Sequence, residues 1–104
     1  MQKCEVKREG DTLIASMSSE IDHHAAKGIR NAIDSELRVG GLKKIILDFS
    51  AVTFMDSSGI GLIIGRAAKA DEVGASVLVT GLNGTLGWIV RMSGVERLQN
   101  VNIN

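Results

Sequence analysis

The sequence predicts an α/β fold in which helices connect the strands of a mixed sheet. Three observations lead to this prediction. Short alternating strands flank a glycine turn near the N-terminus, apolar strands recur at residues 45–49 and 76–79, and segments with helical spacing of apolar residues lie between and after them. The predicted order is two strands, helix, strand, helix, strand and helix, with βαβ crossovers between the later strands.

The first part of the chain contains two strands and a helix. Residues 9–11 are typical of a turn, and residues 12–18 alternate apolar and polar side chains. Asp22 is predicted to cap the first helix, which ends at Gly40 and Gly41. The apolar residues at helical spacing are Ala25, Ile29, Ile33 and Leu37.

The middle of the chain contains a strand and a second helix. Residues 45–49 predict a strand buried on both faces, as is usual in a parallel sheet. The second helix is predicted to begin at Ser57, and its apolar stripe comprises Ile60, Ile63, Ile64 and Ala67. The helical period places Leu62 away from this stripe, beside Arg66 and Lys69, which predicts an exposed leucine that a partner could touch.

The last third contains a strand, a helix and an edge strand. Residues 76–79 predict the strand, and Asn83 is a suitable cap for a helix that ends at Gly94. Val101 and Ile103 predict the edge strand.

Length and charge limit the classes of function. The 104 residues suffice for one domain, residues 1–104, and make a second hydrophobic core implausible. Twelve basic and twelve acidic side chains give a formal net charge of zero, which argues against nucleic acid or an anionic membrane held by bulk electrostatics. Aromatic residues make up only 3%, so base-stacking platforms are not expected.

The cysteine content and the N-terminus predict a cellular compartment. Cys4 is the only cysteine, so an internal disulfide is impossible. Residues 1–8 lack the apolar core of a signal peptide, and no apolar run is long enough to span a bilayer. These observations predict a protein of the reducing cytoplasm.

The segment with the most chemical content is Asp56-Ser57-Ser58-Gly59, where a strand gives way to a helix. The simplest interpretation is that Asp56 or Ser57 caps the helix. One cap needs only one side chain, however, and three polar groups are present. A helix N-terminus favours negative charge, so a serine there is a suitable place for a phosphate. Gly59 leaves the backbone open to another molecule.

Two enzymatic or ligand-binding interpretations are weaker. Gly59, Gly61 and Gly65 do not fit the dinucleotide or Walker spacing, and Gly61 and Gly65 are better explained as small residues that let neighbouring elements pack closely. Ser57 with Asp22, His23 or His24 would supply the residue types of a hydrolase triad, but Ser57 does not lie in a Gly-x-Ser-x-Gly elbow. The paired histidines lack a third metal ligand, so we expect no metal and no cofactor.

Three segments resemble the STAS domain family, and more narrowly the bacterial anti-sigma factor antagonists of its sporulation branch. They are Ser19-Glu20-Ile21-Asp22-His23-His24, the segment from Ile46-Leu47-Asp48-Phe49 to Asp56-Ser57-Ser58-Gly59-Ile60-Gly61, and Met92-Ser93-Gly94. The resemblance spans nearly the whole chain. It implies a single STAS domain with helices packed mainly on one face of a mixed central sheet.

The resemblance also implies a function. Ser57 corresponds to the family's phosphoacceptor, and the implied partner is an anti-sigma factor with serine kinase activity. A PP2C-type phosphatase would reverse the modification. The docking surface would include Asp22, His23, Asp56 and Ser58, together with Gly59 and Leu62.

Two departures from the family pattern stand out. Ser19 replaces a glycine that is usual before the Glu-x-Asp pattern, and the sequence ends at Asn104, where relatives often carry a further helix. The second departure would favour weak homodimerisation. An alternative function within the same fold is a scaffold or a sensor of a small ligand, lipid or nucleotide, in a stress-signalling or transporter complex.

Overall fold

The computed structural model describes residues 4–104, which form a five-stranded mixed sheet with the strands in sequence order. The strands are β1 (Cys4–Glu9), β2 (Thr12–Ile21), β3 (Lys44–Met55), β4 (Ser76–Thr80) and β5 (Val101–Ile103). The helices are α1 (His23–Val39), α2 (Ser57–Glu72) and α3 (Gly84–Ser93), and a 3-10 turn follows at Val95–Arg97. The predicted order of elements is confirmed.

One edge strand is antiparallel and the other strands run parallel. β1 pairs antiparallel with β2, whereas the β2–β3, β3–β4 and β4–β5 pairs are all parallel. α1 packs on β2 and β1, α2 packs on β4 and β3, and the two helices contact each other. The predicted mixed sheet with helices mainly on one face is therefore confirmed.

The two faces of the sheet differ in burial. A row of fully or nearly fully buried side chains crosses the helix-covered face, formed in register by Leu13, Ile45, Val77 and Val101. The next row, on the opposite face, pairs Ile14 with Ile46 and Ile46 with Leu78, and all three residues are only half-buried. The prediction that residues 45–49 are buried on both faces is therefore wrong, because the helices lie mainly on the other face and leave this one half-buried.

The helix boundaries follow their predicted caps. Asn83 caps α3 by accepting a hydrogen bond from the Leu86 N–H at 3.2 Å, and Gly94 ends the helix in the left-handed region. Gly40, with φ of +92°, ends α1. These local signals are reliable because a cap acts on the turn that contains it.

The buried stripe of α2 differs from the predicted one. Leu62 is 4% exposed and Arg66 is also 4% exposed, whereas Ile64 is 45% exposed. The predictions that Leu62 is exposed and that Ile64 belongs to the apolar stripe are both wrong. The physical reason is that α2 packs against α1 as well as against the sheet, so it buries a second face.

Two positions have left-handed backbone conformations that matter below. Ser19 has φ of +64° and is the only residue other than glycine with a positive φ in the described part of the chain. Gly81 has φ of +80°, and a Cβ there would lie 2.5 Å from the backbone nitrogen of Ser50 and 2.7 Å from Asp48 Oδ1. The loop after β4 therefore approaches β3 too closely for any side chain.

Candidate phosphorylation and docking site

The candidate site lies where two neighbouring parallel strands end and two helices begin. Ile21, the last residue of β2, lies in register with Met55, the last residue of β3. The backbone N–H of Asp56 donates a hydrogen bond to the carbonyl of Ile21 at 3.4 Å. The starts of α1 and α2 are therefore held side by side at one edge of the sheet.

Asp56 alone provides the side-chain cap of α2. Its Oδ1 accepts a hydrogen bond from the Ser58 N–H at 2.8 Å, and its carbonyl accepts one from the Gly59 N–H at 3.0 Å. Ser57 is the first helical residue, and its side chain is exposed. Because Asp56 accepts the capping hydrogen bond, the Ser57 hydroxyl is not needed to cap the helix, and Ser57 is exposed to solvent.

The start of α1 has the same design. Asp22 Oδ1 accepts a hydrogen bond from the Ala25 N–H at 2.8 Å, and His23 begins the helix with an exposed side chain. We call the set Asp22, His23, Asp56, Ser57 and Ser58 the helix-start surface. All of its members are exposed except Ser58, which is half-buried.

Two residues predicted for partner contact are buried. Gly59 is buried, and a Cβ at this position would come within 2.5 Å of Met55 Sδ. Gly59 packs against the Met55 side chain of β3, so the predicted open backbone is wrong. Leu62 is buried as well, as described above. We therefore leave Gly59 and Leu62 out of the helix-start surface.

A groove between α1 and α2 was missed by the sequence analysis. Gly61 and Gly65 line it, and a Cβ at either position would meet nothing within 4 Å. The prediction that these glycines allow close packing is therefore wrong. Arg66, at the side of this groove, is buried, with its Nε 3.1 Å from Asp34 Oδ1 of α1. Nothing local in the sequence identifies Asp34 as its partner, 32 residues earlier.

The residues proposed for a hydrolase triad are not assembled. Between residues 4 and 104, no hydrogen bond connects the Ser57 hydroxyl to His23 or His24.

Within the same range, no group of three or more His, Cys, Asp or Glu side chains could hold a metal ion. Of the helices described, none combines the length and the hydropathy needed to cross a membrane.

Two anti-sigma F factor antagonists are similar to this chain in sequence. An anti-sigma F factor antagonist of Paenibacillus polymyxa is 29% identical over 100 residues, which cover 96% of this chain and 86% of that protein. A protein of the same name from Lysinibacillus sphaericus is 31% identical over 85 residues, which cover 82% of this chain and 73% of that protein.

Solved structures share the fold. The anti-sigma factor antagonist SpoIIAA in its unphosphorylated form superposes with a TM-score of 0.74 at 28% identity, covering 86% of this chain and 82% of that one. The Bacillus cell fate determinant SpoIIAA in the phosphorylated form superposes with a TM-score of 0.76 at 26% identity, covering 97% and 90%.

The family model described as the STAS domain matches residues 3–103. Its span agrees with the five-stranded sheet and with the fold shared with the solved structures. The protein therefore belongs to the STAS domain family.

Proposed function

We propose that this protein is an anti-sigma factor antagonist controlled by phosphorylation of Ser57. In its unmodified form the helix-start surface binds an anti-sigma factor that is also a serine kinase, and this binding frees a sigma factor. Phosphorylation of Ser57 by that kinase ends the binding, and a PP2C-type phosphatase restores it. The exchange takes place in the cytoplasm, and the protein itself acts as a regulator and a kinase substrate and not as an enzyme.

The observation that carries this proposal is the exposed Ser57 hydroxyl beside a cap that does not use it. The relatives supply the regulatory context, because two are named anti-sigma F factor antagonists and SpoIIAA has been solved with and without phosphate. In the transfer, the Ser57 oxygen bonds to the γ-phosphorus of ATP, the bond from that phosphorus to ADP breaks, and a base on the kinase takes the hydroxyl proton.

The effect on binding follows from charge. A phosphoserine adds about −1.5 to −2 charges at neutral pH. The new charge would lie next to the exposed Asp56, on the helix-start surface. A like-charge contact across an interface costs several kcal/mol, which corresponds to a loss of affinity of about a hundredfold or more.

The test uses the purified protein and the kinase-type anti-sigma factor from the same genome. With ATP, the kinase is expected to label the wild type and Ser58→Ala but not Ser57→Ala. Ser57→Ala should bind the anti-sigma factor within about twofold of the wild type, because it removes only a hydroxyl group. Ser57→Asp should bind more weakly, by about tenfold, because it places one negative charge at the same position.

Ser58→Ala is the matched control, since it removes the neighbouring hydroxyl group. It keeps the backbone N–H of residue 58, which donates the capping hydrogen bond to Asp56. Labelling of Ser57→Ala but not of Ser58→Ala would assign the modification to Ser58. Equal affinity of the phosphorylated and unmodified proteins for the anti-sigma factor would reject the switch itself.

A further inference from the structure

An aromatic side chain is exposed at the end of β3, close to the helix-start surface. Phe54 is 51% exposed and lies three residues before Ser57 in the chain. Because consecutive Cα atoms are about 3.8 Å apart, the Cα atoms of these two residues can be at most about 11 Å apart. Phe54 is also in register with Glu20 of β2, two residues before the α1 cap Asp22. The exposed ring therefore belongs to a residue beside both helix starts.

An irregularity in β3 turns this side chain outward. The pairing with β2 advances by two residues in β3, from Val52 to Phe54, while it advances by one residue in β2. Val52 and Met55 are buried, at 2% and 3% exposed. Side chains in a regular strand alternate between the two faces, and this alternation would place Phe54 on the buried face with Val52. The extra residue places Met55 there instead and leaves Phe54 outside.

The backbone opposite this irregularity is strained. Ser19 is the β2 residue at the shift in register, and its φ of +64° lies in the left-handed region, which disfavours residues with a side chain. Strained backbone of this kind clusters at functional sites. The strain at Ser19 and the loss of apolar burial at Phe54 both oppose folding, so a role outside the fold explains the exposed ring.

We infer that the Phe54 ring is the apolar anchor of the helix-start surface and that it inserts into an apolar pocket of the anti-sigma factor. The inference rests on the proposed function, because it takes the anti-sigma factor as the partner that binds around Ser57. A specific interface covers about 800 Å² on each partner, which corresponds to a disc with a radius of about 16 Å. A partner centred on Ser57 therefore covers Phe54 as well. Aromatic residues are enriched in the cores of interfaces, where they bury a large apolar area.

The apolar anchor and the proposed phosphate switch differ in physical origin. Insertion of the ring removes apolar surface from water, and this contribution does not depend on charge. The repulsion caused by a negative charge at residue 57 is screened by salt, because the Debye length falls from about 10 Å at 0.1 M ionic strength to about 3 Å at 1 M. The salt dependence of binding therefore separates the two effects.

The test measures binding of the purified chain to the kinase-type anti-sigma factor from the same genome, by calorimetry, with ADP in place of ATP so that no phosphate is transferred. Phe54→Ala should weaken binding by about tenfold to a hundredfold, and Phe54→Leu, which keeps an apolar side chain, should weaken it less. The loss in Phe54→Ala should be the same at about 0.1 M and about 0.5 M sodium chloride, whereas the loss in Ser57→Asp should shrink.

Val73→Ala is the matched control, because it also truncates an exposed apolar side chain. Val73 follows the 16 residues of α2, a helix about 24 Å long, so it lies outside the disc around Ser57. Its affinity should match that of the wild type within about twofold. The amide NMR spectrum of Phe54→Ala should keep the dispersion of the folded protein, with shifts confined to the end of β3 and the helix starts.

A second measurement needs no variant. Intermolecular nuclear Overhauser effects are expected between the Phe54 ring of the wild type and methyl groups of the anti-sigma factor, and their absence would overturn the inference. Unchanged affinity of Phe54→Ala, or an equal loss in Val73→Ala, would overturn it too and leave the proposed function standing. A wild type that does not bind the anti-sigma factor would reject the proposed function and the inference together.

Discussion

In the helix-start surface, one residue caps the helix and the next presents an exposed hydroxyl group. Asp56 makes the hydrogen bond that α2 needs at its first turn, and Ser57 presents a hydroxyl group that the fold does not use. Asp22 repeats the capping task at the start of α1. Because the cap and the proposed acceptor are different side chains, phosphorylation of Ser57 would leave in place the cap that stabilises the helix.

Ser19 carries local backbone strain. Its φ of +64° lies in the left-handed region, where a side chain is disfavoured by about 1–2 kcal/mol. The residue lies at an irregularity in the β2–β3 pairing, which shifts register between Ser19 and Glu20. The departure from the family's glycine, noted from the sequence, therefore falls at the one described position where glycine would fit better.

We expect Ser19→Gly to raise the free energy of unfolding by about 0.5–1 kcal/mol, because relief of strain exceeds the added entropy of the unfolded chain. Urea denaturation monitored by circular dichroism measures the change. Ser18→Gly is the matched control, since Ser18 has an ordinary φ and the same replacement there should lower stability by a similar amount. A loss of stability in both variants would contradict the assignment of strain to Ser19.

At the scale of the elements, the loop after β4 approaches strand β3 closely. Gly81 follows β4, and the space for its Cβ is occupied by the backbone of Ser50 and by Asp48 Oδ1. That carboxylate accepts hydrogen bonds from the N–H and the hydroxyl of Ser50, at 2.9 and 2.7 Å. The three residues therefore fix the β4–α3 loop against β3.

Gly81→Ala should lower the free energy of unfolding by about 2–4 kcal/mol, because the methyl group meets backbone that cannot move aside and φ is positive. Gly74→Ala is a suitable comparison, since its φ is +75° but a Cβ there meets nothing within 4 Å. It should lose only about 1 kcal/mol. Thermal unfolding of both variants measures the difference, and similar losses would show that the close contact is unimportant.

The elements also show what the sequence could predict. Caps such as Asp22 and Asn83 were predicted correctly because each acts on the adjacent helical turn. The buried face of α2 was predicted wrongly, since a helical period describes one stripe and α2 packs against two neighbours. Leu62 is buried for that reason, and the burial of Arg66 beside Asp34 depends on a contact that no local pattern records.

At the scale of the whole molecule, phosphorylation is expected to change surface charge and to leave the fold intact. A phosphate on Ser57 would interact favourably with the helix dipole, by about 0.3–1 kcal/mol, and the neighbouring carboxylate of Asp56 would oppose that gain. Among residues 4–104, no hydrogen bond uses the Ser57 hydroxyl, so its modification breaks none.

We therefore expect backbone amide NMR shifts on phosphorylation to be confined to the helix-start surface and the first turns of α1 and α2. The melting temperature should change by less than about 4 °C, because the attraction of the helix dipole and the repulsion of the Asp56 carboxylate oppose each other. Ser57→Ala treated with the same kinase and ATP is the control and should show neither change. Widespread shifts in β4, β5 or α3 would indicate a conformational switch in place of an electrostatic one.

The hydrogen bond from the Asp56 N–H to the Ile21 carbonyl affects how a kinase would bind the segment around Ser57. This bond ties the residue before Ser57 to the end of β2, so we expect a kinase to bind Ser57 in its folded conformation. The catalytic cleft of the kinase must then accommodate the folded start of α2, so recognition depends on three-dimensional shape. A short synthetic peptide with the amino-acid sequence around Ser57 should be a poor substrate.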